Sequence, residues 1–152
     1  MTERRFDAPP DRVFRVLTAA EHYPDWLVGA RRVVVDDPRW PAPGSSFHHE
    51  VGAGPIQVHD ATSVTGIEPR RRLDLVVRAR PFLVADVRFD LAPSGSGTRL
   101  RMTEVPRGVF RVLSPLISPA VRLRNSRSLR ALEAQFDRLE RAADGSSPSG
   151  TS

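Results

Sequence analysis

The chain has 152 residues, of which 39% are hydrophobic and 27% charged, with a formal net charge of +5. That length predicts one domain around a single core, and the absence of cysteine excludes disulfides and thiolate metal sites. With a charged N-terminus, MTERRFDAPP, and no apolar run near about 18 residues, a soluble cytoplasmic protein is expected.

Thr2 to Phe6 predicts a first short strand. Ala8-Pro9-Pro10-Asp11 opens a helix whose buried stripe is Val13, Phe14 and Leu17. The segment AAEHYPDWLVGA predicts a second short helix, broken at Pro24, with Tyr23, Trp26 and Leu27 clustered. Arg31 to Asp36 is the expected second strand, Asp37 to Ser45 a proline-rich turn, and Ser46 to Val51 the third strand. Gly52-Ala53-Gly54-Pro55 signals a hairpin into Ile56–Ile67, a strand long enough to need a bend or bulge. Leu73, Leu75, Val77 and Ala79 alternate with Asp74, Val76, Arg78 and Arg80. Ala85, Val87, Phe89 and Leu91 alternate with Asp86, Arg88 and Asp90, the clearest strand pattern in the chain. Ser94-Gly95-Ser96-Gly97 turns into a last strand, Thr98 to Val105, with Leu100 and Met102 inward, and the successive hairpins imply an antiparallel meander.

Ser118 to Ala142 predicts a long helix, with Ser118 as N-cap and Pro119 at the first helical position, running about 36 Å at about 1.5 Å per residue. Its apolar seam is Val121, Leu129, Leu132, Phe136 and Leu139. Between Val121 and Leu129 the seam carries Asn125 and Ser128, so the second half resembles packed core while the first half turns small polar groups inward. A helix of this length cannot bury its seam alone, and the preceding strands are expected to curl around it and leave a cavity. Asp144 to Ser152 has no apolar residue and is expected to be a disordered tail after a domain spanning 1–143.

In that order of elements, the stretches APPDRVFRVLTAAEHYPDW, IEPRRRLDL, GTRLRMTE and RNSRSLRALEAQF resemble the START-like (SRPBCC) superfamily, in particular its polyketide cyclase/dehydrase and lipid-transport group. The resemblance covers residues 3–142 and implies an α+β helix-grip fold. In such a fold a seven-stranded antiparallel sheet wraps round a long C-terminal helix, with two short helices after the first strand. It further implies binding of a small hydrophobic molecule such as a lipid or polyketide. A minority of members catalyse cyclisation or dehydration without a cofactor. Fold alone does not choose among these.

An apolar pocket with a few placed polar groups is therefore the expected site. Its apolar lining is expected from Trp26, Phe47, Val58, Leu75, Val77, Phe89, Met102 and Leu129. Strand parity adds polar candidates: Glu104 beside Leu100 and Met102, His49 beside Phe47 and Val51, and Asp60 with Thr62 beside Ile56, Val58 and Val64. A bulge would exchange His49 for His48, or Asp60 for His59. Glu104 is a candidate ligand contact or general acid–base, against the alternative of a strand-end glutamate paired with an arginine. His49 and Asp60 lie across one hairpin, where they could orient a base or simply hydrogen-bond; adjacent histidines point to opposite faces, so no metal site is expected. Asn125 is the remaining polar candidate, since a buried amide needs partners. No phosphate-binding, dinucleotide or hydrolase signature occurs, and no cofactor is expected.

All 23 basic residues are arginine. Between Val105 and Leu132 stand Arg107, Arg111, Arg122, Arg124, Arg127 and Arg130 with no acid. The segment suits a solvated helix face, or a surface for an anionic membrane or acidic partner. No aromatic residues interleave with the arginines, so nucleic acid is not an expected partner.

Overall fold

The computed structural model describes residues 1–28, 30–53, 56–79, 83–108 and 114–145; side chains at 30–31, 49–53, 56–60, 79, 83, 114–118 and 143–145 fall outside that description. The elements run β1 (Thr2–Phe6), α1 (Pro10–Thr18), a 3-10 turn (Ala20–His22), α2 (Tyr23–Trp26), β2 (Ala30–Val34), β3 (Ser46–Ala53), β4 (Ile56–Glu68), β5 (Arg72–Ala79), β6 (Leu83–Ser94), β7 (Gly97–Pro106) and α3 (Ser114–Gly145). The strands form one seven-stranded antiparallel sheet in the order β1-β7-β6-β5-β4-β3-β2. From β3 onward each strand pairs with its sequence neighbour, as the hairpin signals require; β1 closes the far edge against β7. The long β4 carries the expected irregularity, between Val64 and Gly66.

Several boundaries differ from expectation. α3 begins at Ser114, so Pro119 lies inside the helix rather than at its first position. The segment SPLISPAV contains two Ser-Pro pairs four residues apart, Ser114-Pro115 and Ser118-Pro119. Both carry the same start signal, so local chemistry cannot choose between them. At the other end α3 continues to Gly145, two residues into the stretch expected to be tail; residues 146–152 lie outside the described residues. Pro24 does not break a helix: the 3-10 turn ends at His22 and Pro24 sits in the first turn of α2, where its missing N–H is harmless. Finally, β2 starts one residue early and ends at Val34, with a register shift between Ala30 and Arg32.

α3 runs antiparallel to β7 across the sheet's inner face. Contacts along its length fix this direction. Arg124 meets Glu104 of β7 at 2.9 Å. Further along, Glu133 pairs with Arg4 of β1, which lies opposite Leu100. The Phe136 ring then packs edge-on against Phe6, opposite Thr98, at 6.0 Å. From Arg124 to Phe136 the helix rises about 18 Å, and from Glu104 to Thr98 the strand covers about 20 Å, so the two elements stay in step.

The core lies between them: Leu129, Leu132 and Phe136 of α3, Leu73 and Leu75 of β5, Val87, Phe89 and Leu91 of β6, Leu100 and Met102 of β7, and Val13, Phe14 and Leu17 of α1. Tyr23 and Trp26 cap one side, with ring centroids 4.8 Å apart, and Trp26 reaches Phe89 at 6.3 Å. At the β6–β7 turn a Cβ on Gly97 would fall 2.2 Å from the Phe6 carbonyl oxygen, so only glycine lets β1 approach there. On the outer face, cross-strand pairs such as Arg88–Asp74 and Arg107–Asp86 neutralise the alternating charges.

Candidate functional site

Three successive cross-strand rows on the inner face decrease in side-chain size. The first row runs Met102, Phe89, Leu73, Ile67; the second Glu104, Val87, Leu75, Val64; the third Pro106, Ala85, Val77, Thr62. The α3 seam facing them changes in the same direction, from Leu132 and Leu129 to Ser128, Asn125 and half-buried Val121. The side chains between sheet and helix thus taper like a wedge, large at one end and small and polar at the other.

At the transition stands a polar group of three. Glu104 continues the inward face of β7 after Leu100 and Met102, and its side chain keeps only 5% exposure. Arg124 Nη2 donates to Glu104 Oε2 at 2.9 Å, while its own side chain remains 39% exposed. Arg124 Nε also reaches Asn125 Oδ1 at 3.4 Å, the limit of a hydrogen bond. Asn125 is 1% exposed, and this long contact is its one hydrogen bond among the described residues. Ser128, one turn on, is satisfied differently: its Oγ accepts the Val28 backbone N–H at 3.1 Å and holds the chain leaving α2 against the helix.

The expected apolar lining divides. Trp26, Phe47, Leu75, Phe89, Met102 and Leu129 are all at most 3% exposed and pack as the filled end and walls of the wedge. Val77 is half-buried and lies in the third row. The side chains of His49, Val58 and Asp60 lie outside the described residues, but the backbone ladder pairs His49 directly with Asp60 and Val51 with Val58. Two positions before His49 on the same ladder, the Phe47–Thr62 pair is buried, whereas the intervening His48 is exposed and bonds Asp36 at 3.1 Å. Asp60 and Glu104 do not share a strand neighbourhood: β5 and β6 stand between β4 and β7, three strand spacings or about 14 Å along the sheet. The pair and Glu104 are therefore separate polar positions. Among the described residues no three His, Asp or Glu side chains group as a metal site, and no helix is long and apolar enough to cross a membrane.

Sequence reasoning missed Arg124 as part of the site and counted it only in the arginine-rich face. Only the antiparallel lie of α3 on β7 brings it to Glu104, twenty residues away. Two buried side-chain polar atoms have no hydrogen-bond partner among the described residues, Thr2 Oγ1 and Trp26 Nε1, whereas Trp40 Nε1 donates to Thr18 O at 2.7 Å.

A family model described as polyketide cyclase / dehydrase and lipid transport matches residues 1–142. No curated protein matches the chain. Among solved structures, a START superfamily protein from Mycobacterium smegmatis superposes with a TM-score of 0.71 at 16% identity, over 90% of this chain and 95% of that one. A Mesorhizobium loti protein gives 0.68 at 22% identity over 90% and 94%, and a Thermus thermophilus protein 0.64 at 19% over 95% and 97%. These likenesses concern the fold.

Proposed function

Because this chain belongs to the polyketide cyclase / dehydrase and lipid transport family, we propose that it binds a small, largely apolar molecule at the wide end of the wedge between sheet and α3. The molecule's polar group meets Asn125 and the Glu104–Arg124 pair, and its apolar part lies against the third-row side chains Val77 and Ala85. The observation that carries this reading is Asn125, an amide 1% exposed on an inward helix seam whose one hydrogen bond among the described residues is a 3.4 Å contact. Buried polar groups are rarely left so poorly paired, and a ligand or ordered water supplies what the described residues do not. The taper of the rows supports the same reading, since it turns the small side chains and the polar group toward one end.

Native mass spectrometry of the purified protein, followed by solvent extraction, tests it. A co-purifying apolar molecule is expected. Re-adding that molecule at about 100 times its Kd raises stability by about 2.7 kcal/mol. For a chain of this size the melting temperature then rises by roughly 5–10 °C. A clean mass spectrum, together with no thermal shift across lipids, sterols and polyketide-like aromatics, overturns the proposal.

A cofactor-independent cyclase or dehydratase is the second reading, favoured by one observation: a carboxylate, Glu104, almost withdrawn from water beside that space. In this reading Glu104 moves a proton on the bound substrate while Arg124 holds it in place. Full turnover by Glu104→Gln removes Glu104 from any such mechanism.

A further inference from the structure

The outward stripe of α3 is built differently from the rest of the surface. Ala120, Leu123, Arg127, Arg130 and Ala134, spaced three or four apart, are all exposed and share one helix face. Arg122, one heptad before buried Leu129, is exposed on the flank of the helix beside that face. The other described arginines of this segment are neutralised, Arg107 by Asp86 and Arg124 by Glu104. Arg122, Arg127 and Arg130 have no acidic partner among the described residues, and the sequence between Val105 and Leu132 holds no acid. Leu123 stands among them 54% exposed.

We propose that this face of α3 docks reversibly on the surface of an anionic phospholipid bilayer. Three observations choose that partner. The charge is of one sign and unpaired, which suits a surface of repeated negative headgroups. An exposed leucine sits within the arginines, where an apolar side chain reaches the acyl boundary while guanidinium groups stay at the headgroups. The back of a helix is convex and offers no groove for a peptide, whereas a deformable bilayer can accommodate it. The strength expected is modest. Each arginine near an anionic leaflet contributes about fivefold in partitioning, so the three together give about a hundredfold, enough for a transient visit and not for permanent anchoring. The stripe occupies the half of α3 that faces the wide end of the wedge, but the proposal does not depend on what the wedge binds.

Vesicle co-sedimentation of the full chain tests it, with phosphatidylcholine alone against phosphatidylcholine containing about one-third phosphatidylglycerol. Binding to the mixed vesicles only is expected, weakening as salt rises from about 0.15 M and the screening length shortens. R122A/R127A/R130A is expected to lower partitioning about a hundredfold, and Leu123→Ala severalfold, with melting curves unchanged because these side chains are exposed. Should the triple variant not fold, the salt dependence of the unaltered protein and the Leu123→Ala variant decide alone. No binding to anionic vesicles, equal binding to neutral ones, unchanged binding by the triple variant, or capture by an acidic protein without vesicle binding each overturns the proposal.

Discussion

Replacing Asn125 with leucine separates the two roles that a buried polar group can have. Asn125 lies one turn before Leu129 on a seam that otherwise continues through Leu132 and Phe136, all at most 5% exposed. A leucine there extends the apolar seam. Burying its side chain is worth about 1.5–3 kcal/mol, against about 0.5–1 kcal/mol of lost rotamer freedom. The amide gives up little, because its one hydrogen bond among the described residues is the 3.4 Å contact from Arg124. Asn125→Leu should therefore make the ligand-free protein more stable by about 1–2 kcal/mol, after allowing for imperfect packing. Urea denaturation with an unchanged m-value measures this. The same variant should lose most of the thermal shift given by a co-purifying apolar molecule. A loss of more than about 1 kcal/mol would refute the reasoning, because it would mean that the amide is satisfied within the fold and serves packing alone.

Two further predictions follow from buried groups elsewhere. Tyr23 is the single tyrosine; burial, reinforced by the charge of Glu21, pushes its phenol far above its ordinary value of 10.0, and its hydroxyl donates to Leu17 O at 2.9 Å. Because the folded pKa is raised, this contribution to stability is whole below about pH 10 and falls by about 1.4 kcal/mol per pH unit above it. Phenolate absorbance near 295 nm should accordingly appear together with unfolding, and an ordinary titration in the folded protein would contradict the packing around Tyr23. Ser128→Ala removes the acceptor of the Val28 N–H; it should cost about 1–2 kcal/mol and speed hydrogen exchange at Val28, and unchanged exchange there would show that the bond does not hold the chain to α3.

Most of the architecture was legible because each element carries its own period. β6 alternates so regularly that Ala85, Val87, Phe89 and Leu91 are all buried as expected, and the hairpin signals dictate an antiparallel meander. Leu129, Leu132 and Phe136 announce the buried half of α3 by their spacing, and Asn125 and Ser128 on the same seam announce a change in what that seam faces. The start of α3 was not legible, because two Ser-Pro pairs offer the same local signal.

The site is divided in the same way. Parity along β7 brings Glu104 to the inner face from sequence alone, since side chains on a strand alternate whatever lies above them. Its partner is a different matter. Arg124 reaches Glu104 because α3 lies antiparallel to β7 and in step with it, a relation between two distant segments that no local period encodes. The taper of side-chain size likewise depends on register, which sets Met102, Phe89 and Leu73 in one row and Pro106, Ala85 and Val77 in another. Local patterning determines which face of each element is buried; only the pairing of elements determines which buried residues meet.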